Sequence, residues 1–456
     1  MAGRVLAFCC VLALLPGTLL AQGQQPTPGV QAAGVQVDAQ GVLRHVVVRD
    51  PGGRLLRQRL QAAQAQLDPE VAQRSPLRKI SLNRLERVVA QHLEQGKPLP
   101  AEVKYLAGLT RIEYVFFYPE TGDIVLAGPA EGWMEDPVGR VRGIHTGRPT
   151  LLLEDLVVAL RAFAPGKQHQ RLLVGCSIDP TQQGLARLQR YLNSLGRYVR
   201  PGSGQAIAQG IRRALGMHTI KVMGISPRTH MARVLVEADY RMKLIGIGLE
   251  RPPVRMANYV DRATRGGGSR NALQRWFFVP DYQCVRVSED GLAMQMVGQG
   301  VKLVNESEVV LPDGRRMSDA RPDRASVGFV REFTRKYPQL AAREPVFAQL
   351  RTAIDLLIAA AFIQQQDYYG KSGWQAELFR DEARLPVEVH PAPQRVETVV
   401  NVIWKGSRLY TPLGGGVQIY PTLALAPQYR LPDEQGQVAR KRTELSQLPP
   451  GRWWWD

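Results

Sequence analysis

Apolar positions along this chain fall either in short runs, as strands need, or at three-to-four spacing, as helices need. The pattern is clearest in two stretches that read alike. Arg171–Leu195 is RLLVGCSIDPTQQGLARLQRYLNSL, and Ile220–Ile245 is IKVMGISPRTHMARVLVEADYRMKLI. Each opens on an apolar run holding a glycine, Gly175 or Gly224. Each then sets a capping residue before proline, Asp179-Pro180 or Ser226-Pro227. Each continues as an amphipathic helix with an Ala-Arg pair, Ala186-Arg187 or Ala232-Arg233. The order predicts a strand feeding a helix, twice, with Asp179 and Ser226 as the caps. Strands alternating with helices predict parallel neighbours joined by right-handed crossovers. Between the units, Ser203 is expected to cap a helix along Ile207, Ile211 and Leu215. Leu244–Leu249 reads as one more short strand.

The rest of the pattern fills in around this core. Val42–Val48 has strand composition and ends at the turn Asp50–Gly53. Leu77–Gln95 reads as a helix along Leu82, Leu85, Val89 and Leu93, with Ser81 able to cap it. Pro100–Leu106 reads as another. Arg111–Tyr118 and Ile124–Ala127 form a hairpin across Pro119–Asp123. Gly128–Pro149 shows no periodicity and holds Trp133, Glu135, Asp136, Arg140, Arg142, His145 and Arg148. Loops of that length are functional or mobile. Thr150 is expected to cap a helix reaching Phe163. After the Gly266–Gly268 loop, Trp276–Val279, Cys284–Val287, Ala293–Val297 and Val301–Val304 predict a meander. Val327–Lys336 and Val346–Tyr368 read as helices, and Val396–Trp404 and Gly416–Tyr420 as strands around a glycine turn.

The expected fold is therefore mixed α/β: strand-helix repeats with a parallel core sheet, antiparallel hairpins, and a helical C-terminal part. Residues 1–21 form a leader and 22–34 a Pro/Gly linker. An N-terminal α+β region spans 35–165, the repeat core and meander 166–304, a helical region with terminal strands 305–427, and a basic, Trp-ending tail 428–456.

Composition adds compartment and partner. Arg4 followed by the eleven-residue apolar run Val5–Leu15, broken at Pro16-Gly17, reads as a signal peptide cleaved after Ala21. The run is too short for about 30 Å of hydrocarbon. Ala353–Ile363 carries Asp355 and is also short, so no transmembrane segment is expected in the mature chain. Export to a periplasmic or extracellular space leaves Cys176 and Cys284, and the sequence leaves their pairing open. The formal charge is +18, from 59 basic and 41 acidic residues, with only eleven lysines among the basic ones. The charge suits either an anionic envelope component or simply a solvated basic surface, and its dispersal favours the surface. It is dispersed and lacks interleaved aromatics, so no nucleic-acid partner is expected.

The segments GPAEGW, GRPTLLLEDLVVALRAF, SIDPTQQGLARLQ, GISPRTHMARVLVEADYRMKLIGIGLE, RWFFVPDYQCVRVSEDGLAMQMVGQGVKLV, QQQDYYG and VNVIWKGSRLYTPLGGGVQI resemble a family of secreted planctomycete proteins. The resemblance covers about residues 35–427. That family is described only as a domain of unknown function. It implies export and supplies no catalytic residues.

No catalytic motif survives inspection. Gly370-Lys371-Ser372 mimics the end of a phosphate-binding loop, but Gln365 stands where its first glycine belongs, and the segment reads as a helix C-cap. In a Ser226, His230, Asp239 triad, the carboxylate would lie more than two turns past the histidine. The seven histidines show no metal spacing, and no cofactor motif is present. Arg233, Glu237 and Arg241 sit four apart and suit salt bridges along a helix face. What remains is a strand edge. In doubly wound arrangements ligands bind beyond the carboxyl ends of strands. That edge would gather Ser177, Asp179, Ser226, Arg228, Thr229, His230, Glu250 and Arg251. Helix starts there favour an anion, although the same residues also serve as caps and ion pairs. Two functions follow: a non-catalytic binding or envelope-associated structural protein, or a hydrolase acting on an envelope substrate with Gly128–Pro149 as its lid. A deep pocket joining Glu135, Asp136 or His145 to His230 would favour the hydrolase.

Overall fold

The computed structural model describes residues 30–167, 172–195, 204–267, 272–310, 316–318, 323–401, 404–405, 408–409 and 414–456. The expected leader, the first part of the linker and Ser203 lie outside them. Among the described residues two sheets dominate. The larger has nine strands, in the order Val30–Val37, Val42–Asp50, Arg395–Glu397, Met217–Met223, Val174–Pro180, Gly415–Ile419, Ala272–Pro280, Val301–Val310 and Arg316–Ser318. Two contacts in it are parallel, Arg395–Glu397 with Val42–Asp50 and Ala272–Pro280 with Gly415–Ile419. The smaller has six strands, in the order Val285–Val287, Ala293–Met296, Tyr114–Tyr118, Asp123–Ala130, Ser75–Ser81 and Trp454–Trp455. The mixed α/β expectation therefore holds, and long helices fill the C-terminal part.

The core is organised by one helix, His230–Gly246, hereafter the central helix. It lies on the large sheet and packs against the helix Pro345–Gln365 and the helix Leu153–Ala162. Almost every side chain along it is buried, including Leu235, Ala238 and Met242. A helix buried on all faces loses its polar stripe. That is why Leu244–Leu249 imitates a strand in sequence but continues the helix to Gly246. Gly246 is needed there, since a Cβ at that position would lie 2.2 Å from the indole of Trp276. Pro345–Gln365 is long and apolar enough to cross a membrane by composition, yet it is wholly enclosed by the rest of the protein.

The two look-alike stretches do supply neighbouring strands of one sheet, but those strands run antiparallel, with Gly175 opposite Met223 and Asp179 opposite Thr219. The reason lies between them. One crossover helix would reverse the chain once and give parallel strands. Here two helices, Gln182–Ser194 and Gly204–Leu215, pack against each other around Leu185, Leu188, Ile207, Ile211 and Leu215. The second helix undoes the reversal of the first. The caps also move three positions or fewer along the chain. Thr181 accepts from Gly184 N at 3.0 Å and Thr229 from Ala232 N at 3.2 Å. Asp179 stays in its strand, and Ser226 precedes the helix by a turn.

Other expectations change locally. Ser75–Ser81 is a strand, so the predicted helix begins only at Leu82, with Ser81 as its cap as expected. The Arg111–Ala127 hairpin stands, as Tyr114–Tyr118 and Asp123–Ala130. Thr150 caps nothing; the helix start at Leu152 has no side-chain cap. The meander is shared between sheets: Ala272–Pro280 and Val301–Val310 join the larger, Val285–Val287 and Ala293–Met296 the smaller. Val30–Gly34, assigned to the linker, belong to the first strand. Gly128–Pro149 is ordered around a small hairpin, Trp133–Glu135 with Val141–Gly143. Gly370–Ser372 lie within the short helix Tyr368–Ser372, which Gly373 closes in the left-handed region. The Trp-ending tail docks as an edge strand, and the buried Arg78 guanidinium joins Asp456 at 2.7 Å while lying over the Trp454 ring. Cys176 and Cys284 are buried free thiols in different regions of the fold.

Candidate functional site

At the N-terminal end of the central helix a cavity of about 440 Å³ opens. Its wall is built from the start of the central helix, the start of Leu153–Ala162, the hairpin residues 135–141 and residues 385–390, with Leu99, Lys104, Tyr105 and Gln349 completing it. The helix Leu153–Ala162 carries two carboxylates in its first turn, Glu154 and Asp155, where the helix dipole favours negative charge. Each meets an imidazole. His230 Nδ1 lies 2.9 Å from Asp155 Oδ2 and 3.1 Å from Oδ1. His390 Nε2 lies 2.8 Å from Glu154 Oε2. The two rings are 6.0 Å apart between centroids. A carboxylate can only accept, so each bonded ring nitrogen is the donor. His230 Nε2 and His390 Nδ1 are left without a partner among the described residues.

Burial opposes ionisation of Glu154. The His390 hydrogen bond and the charges of His230, His390 and Arg233 outweigh it and hold the carboxyl below its ordinary range. Glu154 is thus the charged hub of the group. Arg233, one turn into the central helix, also lines the cavity and forms no ion pair among the described residues. The deep wall is Arg140. Its guanidinium binds Glu237 and Gln349, and reaches the carbonyl of Ala33 at 3.2 Å. Asp136 places that arginine by accepting from the backbone N–H of Val138 and of Arg140, both at 3.0 Å.

The sequence-predicted residues fall into three places. Ser226, Arg228, Thr229 and His230 cluster at the head of the central helix, but only His230 faces the cavity. Ser226 donates to Glu388 Oε2 at 2.7 Å, and the Arg228 carbonyl accepts from His390 N–H at 2.9 Å. Both therefore hold the segment that delivers His390. Thr229 is the helix cap, and the Arg228 side chain is exposed. Asp179 sits at the other end of its strand, 3.3 Å from Arg275. Glu250 pairs with Arg241 at 2.6 Å, and Arg251 is exposed just beyond it. Those two lie past the far end of a 17-residue helix, about 25 Å away at 1.5 Å per residue. The single strand edge therefore does not form, because antiparallel strands present opposite ends to it. In the Arg233, Glu237, Arg241 row, Glu237 and Arg241 are 3.8 Å apart as expected, while Arg233 turns to the cavity.

Sequence reading met Arg140 only as one residue of the Gly128–Pro149 loop and passed over Glu154, Asp155 and His390. The one available signal was the Glu-Asp pair opening an apolar helix; nothing local marks His390. Of the discriminating residues, Glu135 joins His230 in the cavity wall, whereas Asp136 is the buried loop anchor and His145 is exposed. No group of three or more His, Cys, Asp or Glu suited to a metal stands among the described residues. Residues 176–259 match the family described as Protein of unknown function (DUF1598). The matched stretch holds His230 and Arg233 but neither carboxylate partner and not His390. No curated protein and no solved structure matches the chain.

Proposed function

We propose that this cavity is the acid–base site of a hydrolase acting on an anionic phosphoester. One observation carries the reading: two imidazoles, each hydrogen-bonded to its own carboxylate, face one cavity 6.0 Å apart. His230 Nε2 takes a proton from water, whose oxygen bonds to phosphorus. The phosphorus–oxygen bond to the leaving group breaks, and that oxygen takes the proton from His390 Nδ1. Ionised Glu154 accepts from His390 Nε2 and so turns Nδ1 away from itself, which suits that nitrogen to the acid role. Arg233 and the start of the central helix hold the phosphate oxygens. The anion contact thus shifts from Arg228 to Arg233.

The test is turnover of 4-nitrophenyl phosphate and bis(4-nitrophenyl) phosphate by the purified protein. A bell-shaped pH profile is expected, with His230→Gln and His390→Gln each slower by about 10²–10⁴-fold. Glu154→Gln removes the carboxylate that accepts from His390 Nε2 and should slow turnover as well. Absence of turnover in the wild type, or full activity in both histidine variants, refutes the reading. The non-catalytic binding protein is the second reading. It is favoured by the His390–Glu154 and Ser226–Glu388 bonds that tie residues 388–390 to the core, with the His230 side chain only 8% exposed. Phosphate that raises the melting temperature without any turnover, in a manner lost in Arg233→Ala, would select it.

The proposal includes export and kinship with the secreted planctomycete proteins. The short apolar leader and the polar stretch behind it support export. Secreted protein whose N-terminal sequence still begins at Met1 would exclude removal of the leader.

A further inference from the structure

A second cavity, of about 480 Å³, adjoins the first. Tyr105, Glu135 and Val141 line both. Its chemistry is different. One side is the helix Arg54–Gln66, on which no residue is buried. Leu56, Leu60, Ala63 and Leu67 recur at spacings of four, three and four, giving an apolar stripe that is only half covered. Facing it are Trp133 and Met134 of the small hairpin, with Tyr105 set edge-on to Trp133 at 5.6 Å. Arg59 fixes the helix over that hairpin by donating to the carbonyls of Glu135 and Asp136, at 3.1 and 2.6 Å. The same Asp136 turn delivers Arg140 to the first cavity. One loop therefore sets the spacing between a charged compartment and an apolar one.

Resting on the acid–base reading above, we propose that the substrate is an amphiphile: a phosphoester whose head sits among His230, His390 and Arg233 and whose single apolar chain runs past Tyr105 into the compartment beneath Arg54–Gln66. Two features of the molecule argue for this occupant. The mainly apolar compartment abuts an anion-suited one, with three wall residues in common. Moreover, Ala63 and Leu67 of that stripe line the compartment half exposed, opposite Trp133 and Met134, so a chain laid there removes apolar surface from water. Arg59, Gln66 and Glu135 also stand in this wall, and Arg59 is engaged by the carbonyls of Glu135 and Asp136.

The experiment measures binding of inorganic phosphate and of butyl, hexyl and octyl phosphate, each as free monomer, to the full chain. Affinity should rise with length by up to about fourfold per methylene until the compartment is filled. Ala63→Glu places a carboxylate against the chain on a half-exposed helix position. It should abolish the length dependence and leave inorganic phosphate binding unchanged, while Ala63→Leu should retain the dependence. Circular dichroism and melting temperature establish that both variants fold. Phosphate binding with no length dependence overturns the amphiphile and leaves the hydrolase standing. Length dependence that survives Ala63→Glu also overturns it, because the chain then lies elsewhere. If no phosphate species binds, both readings fall. Vesicles of phosphatidic acid in phosphatidylcholine form the last arm: retention on vesicles without binding of free octyl phosphate would overturn a free amphiphile as ligand.

Discussion

Replacing Asp239 by asparagine should remove a defined part of the pH dependence of stability. Asp239 is fully buried on the central helix, and Lys243 one turn later donates to its Oδ2 at 2.7 Å. Its Oδ1 has no partner among the described residues. Burial pushes the carboxyl up to about 6; Lys243 pulls it down, Asp179 raises it and Arg275 lowers it. The folded value exceeds the ordinary 3.8, so the folded state binds the proton more tightly than the unfolded chain. The resulting stabilisation is complete below the unfolded value and vanishes as pH rises through about 6. Its full size is about 3 kcal/mol, and between pH 7 and pH 5 it amounts to about 1.3 kcal/mol. Asparagine keeps the shape and cannot titrate, and Lys243 keeps the Ile178 carbonyl at 3.0 Å. Urea unfolding of both proteins at the two pH values gives the answer as a difference of differences. Other titrating groups cancel in that comparison, including Glu154, whose lowered carboxyl acts with the opposite sign. The wild type should gain about 1.3 kcal/mol more than the variant on acidification. Equal pH dependence in the two proteins would refute the account of Asp239 as a buried, strained charge.

Further outcomes follow from the same core. Leu235 is wholly buried, so Leu235→Ala should cost about 2–5 kcal/mol by denaturant unfolding; a loss below about half a kcal/mol would place it at the surface. Gly246→Ala drives a methyl group into Trp276, which is itself fixed by a 2.8 Å bond to Ser326. A loss of about 1–3 kcal/mol is expected in the same assay. Burial raises both thiols, Cys176 well above its usual value and Cys284 to about 12. Neither should react with iodoacetamide until the protein unfolds, as peptide mass spectrometry would record.

The sequence carries the elements of this fold better than their pairing. Amphipathic helices such as Leu82–Glu94 and Gly204–Leu215 announce themselves because one face meets water. The central helix misleads at its C-terminal end because no face does. Both helices between the two strands are legible in the sequence, but how they pack against each other, which sets strand direction, is not. The packed pair Gln182–Ser194 and Gly204–Leu215 converts an expected parallel pair of strands into an antiparallel one, and with it moves Asp179 away from Ser226. The site was half legible for a related reason. His230 was found since it opens a recognisable helix. Its companions Glu154 and His390 lie 76 residues before it and 160 after it, and only tertiary contact brings them together.

That dispersal bears on what the family match can mean. Residues 176–259 supply His230, Arg233 and Glu237. The carboxylates that orient the imidazoles come from the helix Leu153–Ala162, the deep arginine from residue 140, and the second imidazole from residue 390. The matched stretch is also incomplete as structure. Its strands Val174–Pro180 and Met217–Met223 are flanked in the sheet by Gly415–Ile419 and Arg395–Glu397, both from the C-terminal part. The central helix would expose the face turned away from the sheet without Pro345–Gln365 and Leu153–Ala162 against it. A protein sharing only that stretch would share one histidine and one arginine of the cavity, without the pairing that makes the histidine an acid or a base. The chemistry proposed here thus belongs to the assembled chain, and likeness across residues 176–259 alone is no ground for transferring it.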